Sequence, residues 1–122
     1  ELETKDSLES QIDAILSFDA TENKWLSRAQ KSLQHGSPLS AKLVSEQLKR
    51  AKGLSLADCF RLELGMSVTA GEFGEFQEGV RALLIDKDGA PNWQFESTQS
   101  VTDDAINAFF KARWSEHPLQ GL

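Results

Sequence analysis

Apolar residues return every three or four positions along almost the whole chain, and no stretch alternates long enough to suggest a useful strand. That spacing stacks side chains on one face of a helix. Leu8, Ile12, Ile15 and Leu16 mark a first helix, which Phe18-Asp19-Ala20-Thr21 breaks while offering new caps. Trp25, Ala29 and Leu33 share one face of a second helix, and His35-Gly36 ends it, with Gly36 suited to a left-handed C-terminal turn. Ser37-Pro38 opens a third: serine caps free amides, and proline at the first helical position has no donor to lose. Leu39, Leu43, Leu48 and Ala51 follow in helical period, Lys49, Arg50 and Lys52 suit the negative end of the helix dipole, and Gly53 closes the helix. Ser55 and Asp58 form a loose capping box for a fourth helix, expected to be central and to run through Met66 and Val68 to a stop near Gly71. Phe73, Phe76, Val80, Leu83 and Leu84 outline a fifth, and 86–100 reads as loop. Thr102 caps a last helix with Asp103 and Asp104 in its first turn, Ile106, Phe109, Phe110 and Trp114 as its buried stripe, and a frayed tail through Pro118 and Gly121. The expected fold is all-α, a bundle of five or six helices in one domain over 1–122.

Composition narrows the function classes. The 122 residues carry a net charge of −6, a poor match to a phosphate-tracking nucleic-acid binder. A single cysteine, Cys59, allows no internal disulfide. No apolar run approaches the ~20 residues of a membrane span, and no secretory signal is visible. At this mass about two thirds of the chain's surface can be buried, enough for one modest core. The chain opens at Glu1 and its one methionine is Met66, so a removed leader or a piece of a longer protein is expected, with the motifs below favouring the second.

Few residues suggest chemistry by themselves. Asp86-Lys87-Asp88-Gly89 resembles the start of a calcium loop, but Ala90, Pro91 and Ser97 stand where such a loop needs a ligand, Gly and Glu, so it reads as a turn. His35 and His117 lack metal-ligand spacing and read as exposed histidines near helix ends. Cys59 lies inside the most apolar helix, where a thiol is usually inert. Glu63, amid Phe60, Leu62 and Leu64, reads as one half of an ion pair with Arg61, Arg81 or a lysine, and general acid–base work is the sharper alternative. Trp93 reads as an anchor of its loop, with a stacking platform for a ligand as the alternative. No catalytic residue is assigned.

The run Phe76-Gln77-Glu78-Gly79-Val80-Arg81-Ala82-Leu83-Leu84-Ile85-Asp86-Lys87-Asp88, followed by Pro91-Asn92-Trp93, is more distinctive. It resembles the C-terminal signature D-F-x-E-G-V-R-A-x-L-I-D-K-D-x-x-P-x-W of 3-hydroxyisobutyryl-CoA hydrolases, a branch of the enoyl-CoA hydratase/isomerase (crotonase) superfamily. Ser37-Pro38-Leu39-Ser40 and Leu56-Ala57-Asp58-Cys59-Phe60-Arg61-Leu62-Glu63 are similar to two further helices of those enzymes, and the likeness spans roughly Leu8 to Trp114. Glu75 stands where the signature has Asp, a change that keeps the charge.

The resemblance implies hydrolysis of the thioester of 3-hydroxyisobutyryl-CoA in valine breakdown. It also implies that the catalytic carboxylates and oxyanion-hole donors belong to an N-terminal β/α spiral core absent from these residues. The expected role is a helical C-terminal region that packs on that core and helps wall the acyl-CoA site. Lys87 and Trp93 match positions that approach the adenine end of CoA in related enzymes: Lys87 for a phosphate, Trp93 to stack on adenine. Acyl-CoA is then substrate, and no cofactor or metal is implied. The expected partners are the missing core and, in a homo-oligomer, a second copy, with no nucleic acid and no membrane. The compartment is cytoplasm, or mitochondrial matrix in a eukaryote. Separated from its core, the module is expected to expose an apolar patch. Two alternatives stay open: the same region of an enoyl-CoA hydratase or isomerase, and a non-enzymatic helical interaction module.

Overall fold

The computed structural model describes residues 7–122, all helix, turn and loop, with no strand among them. Six α-helices follow one another: α1 (Leu8–Ser17), α2 (Lys24–His35), α3 (Pro38–Ala51), α4 (Leu56–Phe73), α5 (Glu75–Val80) and α6 (Asp103–Phe110). A π-helical turn, Arg81–Ile85, continues α5, and a 3-10 turn, Thr98–Ser100, precedes α6.

The helix starts follow local chemistry. The side chains of Ser7, Ser37, Ser55 and Thr102 each accept from a backbone amide three residues on, at 3.0–3.2 Å. Helix α2 starts at Asn23, whose Oδ1 takes the Leu26 amide at 3.0 Å, and not at the Phe18–Thr21 break. There Asp19 spends its carboxylate on Thr21. Gly36 is extended (φ −69°), not left-handed. Its lack of a side chain matters because a Cβ would sit 2.9 Å from the Ser32 carbonyl oxygen. Helix α4 passes through Gly71 and stops at Gly74 (φ 101°), the left-handed residue that turns the chain into α5.

The core is small. Leu39 and Leu43 of α3, Val101, and Ile106 and Phe109 of α6 form one buried cluster, with Met66, Ala70 and Phe73 of α4 packed against it. Helix α4 touches both α5 and α6 but is only partly central, because Leu56 and Phe60 near its start are exposed. The stripe of α6 is shorter than its spacing suggests. Ile106 and Phe109 are buried, Phe110 lies under the Arg50 guanidinium at 4.1 Å, and Trp114 falls beyond the helix, edge-on to His117. The tail is tied down, not frayed: Arg61 donates to the carbonyls of Leu119, Gln120 and Leu122.

Much apolar surface stays in water. Leu83, Leu84 and Ile85 of the π-helical turn are 70%, 62% and 69% exposed, and Phe76, Leu48 and Trp25 are exposed as well. Adjoining exposed apolar side chains such as those of 83–85 are the kind of surface through which soluble proteins make contacts.

Candidate functional site

The signature segment folds as a helix, a π-turn and a loop wrapped back over both. Asp86 N–H reaches the Arg81 carbonyl at 2.8 Å, the wide hydrogen bond of a π-helix, and Gly89 N–H closes onto the Ala82 carbonyl at 3.1 Å. Such π-turns appear frequently at functional sites.

Two glutamates on one face of α5 hold the returning loop on either side of Trp93. Glu78 accepts the Asn92 amide at 2.7 Å, and Glu75 accepts the Gln94 amide at 2.8 Å. Glu75 is buried, and its second oxygen takes the Ser37 hydroxyl, so this one carboxylate joins α3, α5 and the loop. The Gln94 side chain returns to the Phe73 carbonyl at 2.7 Å and caps α4. Trp93 donates its indole N–H to the His35 carbonyl at 2.9 Å and lies on Gly79, where a Cβ would come within 3.3 Å of its ring. Glycine at this position lets the indole reach the helix backbone.

Arg81 organises the rest of the loop. Its guanidinium binds Glu78 at 2.7 and 2.8 Å, Asp86 at 2.6 Å and Asp88 at 2.7 Å, and donates to the Ala90 carbonyl at 3.3 Å. Hydrogen bonds from Arg81, then from the Asn92 amide, hold the Glu78 carboxyl down from an ordinary 4.5 to about 2. Asp88 is lowered by Arg81 and by the Ala90 amide, and these carboxylates in turn raise Arg81. A depressed carboxylate stabilises the fold fully above its unfolded value and loses that contribution as pH falls through its folded value. The loop is therefore expected to hold at pH 5 and to loosen between about pH 4.5 and pH 2. The Trp93 indole N–H resonance should shift in that window ahead of the Trp114 resonance, and a Trp93 signal that stays fixed to pH 2 would contradict this.

Beside the loop lies an apolar groove of about 500 Å³, floored by Leu39, Leu43 and Phe109 and rimmed by Phe76, Leu83 and Trp93. Trp93 lines it and Lys87 does not. Lys87 sits at the exposed tip of the loop in a left-handed conformation (φ 56°).

The other candidates are placed elsewhere. Asp86-Lys87-Asp88-Gly89 is a turn, and among the described residues no group of three or more His, Cys, Asp or Glu side chains could hold a metal. His35 is exposed at the end of α2, its Nδ1 2.9 Å from the Lys31 carbonyl. His117 is half-buried in the tail, not exposed at a helix end. Its Nδ1 accepts the Leu119 amide, so Nε2 carries the proton and donates to the Arg61 carbonyl. Cys59 is a free, half-buried thiol. Glu63 is exposed and accepts from Gln47 at 2.8 Å, and among the described residues the expected ion pair with Arg61, Arg81 or a lysine does not form. Arg61 pairs with Asp58 instead. Sequence reading missed Glu75 and Glu78 as the loop's clamps. The available signal was their i, i+3 spacing, which puts two carboxylates on one face of α5.

A model of enoyl-CoA hydratase/isomerase sequences matches residues 1–110. The chain belongs to this family. It is 40% identical over 90 residues, 73% of the chain, to a mitochondrial 3-hydroxyisobutyryl-CoA hydrolase of Dictyostelium discoideum. It is 31% identical over 112 residues, 86% of the chain, to 3-hydroxyisobutyryl-CoA hydrolase-like protein 5 of Arabidopsis thaliana. It is also 30% identical over 109 residues, again 86% of the chain, to the Arabidopsis small ribosomal subunit protein mS47. The matches cover 24%, 29% and 27% of those proteins, so the chain spans about a quarter of their length. The family resemblance drawn from the 75–93 signature is thus confirmed, and with it the all-helical fold of this region.

Proposed function

We propose that this chain is the helical C-terminal region of an acyl-CoA thioester hydrolase acting on 3-hydroxyisobutyryl-CoA in valine breakdown. The observation that carries the reading is the family match together with relatives named as that hydrolase. The region packs on a catalytic core through the exposed face of Phe76, Leu83, Leu84 and Ile85, which is too apolar to be left in water. Its loop walls the CoA site, with Lys87 meeting a phosphate as a point charge and Trp93 offering a ring edge to the adenine. Acyl-CoA enters as substrate, and the compartment is the mitochondrial matrix if the source is eukaryotic, as for the relative named mitochondrial. Thiol release from 3-hydroxyisobutyryl-CoA by the full-length protein tests the reaction. Hydration of an enoyl-CoA without thiol release would move the assignment to the hydratases. In the same assay Lys87→Ala is expected to raise KM about two- to fivefold with kcat kept, the range of an exposed ion pair. An unchanged KM would remove Lys87 from the site.

One observation favours a second reading. The same region recurs at similar identity in a relative named as a ribosomal protein, so these helices are compatible with a docking module that does no chemistry. Absence of every acyl-CoA activity in the full-length protein would favour it.

A further inference from the structure

Lys87 is the one non-glycine residue with left-handed backbone among the described residues. An L side chain rarely adopts that conformation unless its surroundings impose it. Here the constraint comes from both sides. Asp86 and Asp88 are turned onto one nitrogen of Arg81, at 2.6 and 2.7 Å. The remaining Arg81 donors go to both oxygens of Glu78 and to the Ala90 carbonyl, so all five N–H groups are used. Asp88 is fixed a second time through Oδ1, which accepts the Ala90 amide at 2.9 Å. Lys87 itself has no hydrogen bond or ion pair among the described residues.

In a loose Asp-Lys-Asp tripeptide the two carboxylates lie beside the ammonium. They compete for it and repel an approaching anion. In a chain of net charge −6 such a lysine is a poor anion site. We propose that Arg81 is the positioning residue of a phosphate site at Lys87: it holds the carboxylates of Asp86 and Asp88 out of ion-pair reach of the ammonium and fixes the left-handed turn that presents it. The ligand class is a phosphate ester. This rests on the reading that Lys87 meets a phosphate of CoA, and it adds the group that makes such contact possible in an acidic loop. The roles are distinct, since Arg81 has no donor left for a ligand and Lys87 has all of its own.

The test uses the full-length protein and two readouts. The first needs no ligand: the rate at which acetic anhydride acetylates Lys87, read by mass spectrometry against exposed Lys31 and Lys52 as folding controls. Arg81→Gln frees both aspartates for Lys87 and should slow its labelling about threefold, because an ammonium held in an ion pair is less available to the reagent. Adding Asp86→Asn and Asp88→Asn to Arg81→Gln should restore the rate. Arg81→Lys, which keeps the charge but loses the fork, should fall between. The second readout is the dissociation constant for CoA. Lys87→Ala and Arg81→Gln should each weaken it about two- to fivefold, and the two together should be no worse than either alone. Labelling of Lys87 that ignores Arg81→Gln, or that is slowed but not rescued by the two asparagines, overturns the role of Arg81. Labelling that behaves as expected while neither substitution changes CoA affinity overturns the CoA reading of Lys87 and leaves the hold of Arg81 on the turn standing.

Discussion

Phe109→Ala is expected to cost about 3–5 kcal/mol, the usual range for emptying a buried phenylalanine site. Phe109 is 2% exposed, sits 5.3 Å from the Phe73 ring and contacts the cluster built by Leu39, Leu43, Val101 and Ile106. It links α6 to α4 and floors the groove, so its loss removes the wall between two helices as well as a ring. Among the described residues only six hydrophobic side chains are buried, and whole domains hold only about 5–15 kcal/mol. A loss of this size should appear as a separate, early unfolding step of the helical region in urea. A shift of under about 1 kcal/mol would mean that the core is not where the fold places it.

The second large effect belongs to Glu75. Glu75→Ala leaves the Ser37 hydroxyl and the Gln94 amide, both facing a buried carboxylate, without their partner. Each unsatisfied group costs about 1–3 kcal/mol, so a combined loss of about 2–6 kcal/mol is expected. The loss should be local as well as global, because Gln94 also caps α4 and its neighbour Trp93 reaches back to the end of α2. Amide exchange at Gln94 and the Trp93 indole should therefore become fast. Glu75→Asp, which places the residue of the family signature here, should lose about half as much by keeping the charge and one of the two bonds. Equal losses in both variants would point to a packing role for the side chain instead of the clamp described.

What the sequence showed depended on the range of the interaction. Caps at Ser37, Ser55 and Thr102 were readable because each acts on an amide three residues away. The end of α4 was not, because Gly71 and Gly74 look alike and the choice falls to a partner 20 residues further on, Gln94. The same holds for the tail, where Arg61 collects three carbonyls from 119–122. Apolar spacing could not separate core from unpartnered face: Phe109 and Leu83 have the same pattern, yet one is buried and the other 70% exposed. In the candidate site, the signature identified the segment while the geometry showed what its charges do. Glu78 and Arg81, three apart on one helix, bind each other and then the loop, a second step that no local pattern records. Glu63, conspicuous among leucines, turned out to be exposed and bound to Gln47.

The most direct test of the account is thiol release from 3-hydroxyisobutyryl-CoA, assayed for the full-length protein and for residues 1–122 alone. The account predicts release by the full-length protein and none by the 122-residue chain, because it assigns the catalytic groups to the core on which these helices are proposed to pack. Release by the chain alone would contradict it and place an active site within these helices.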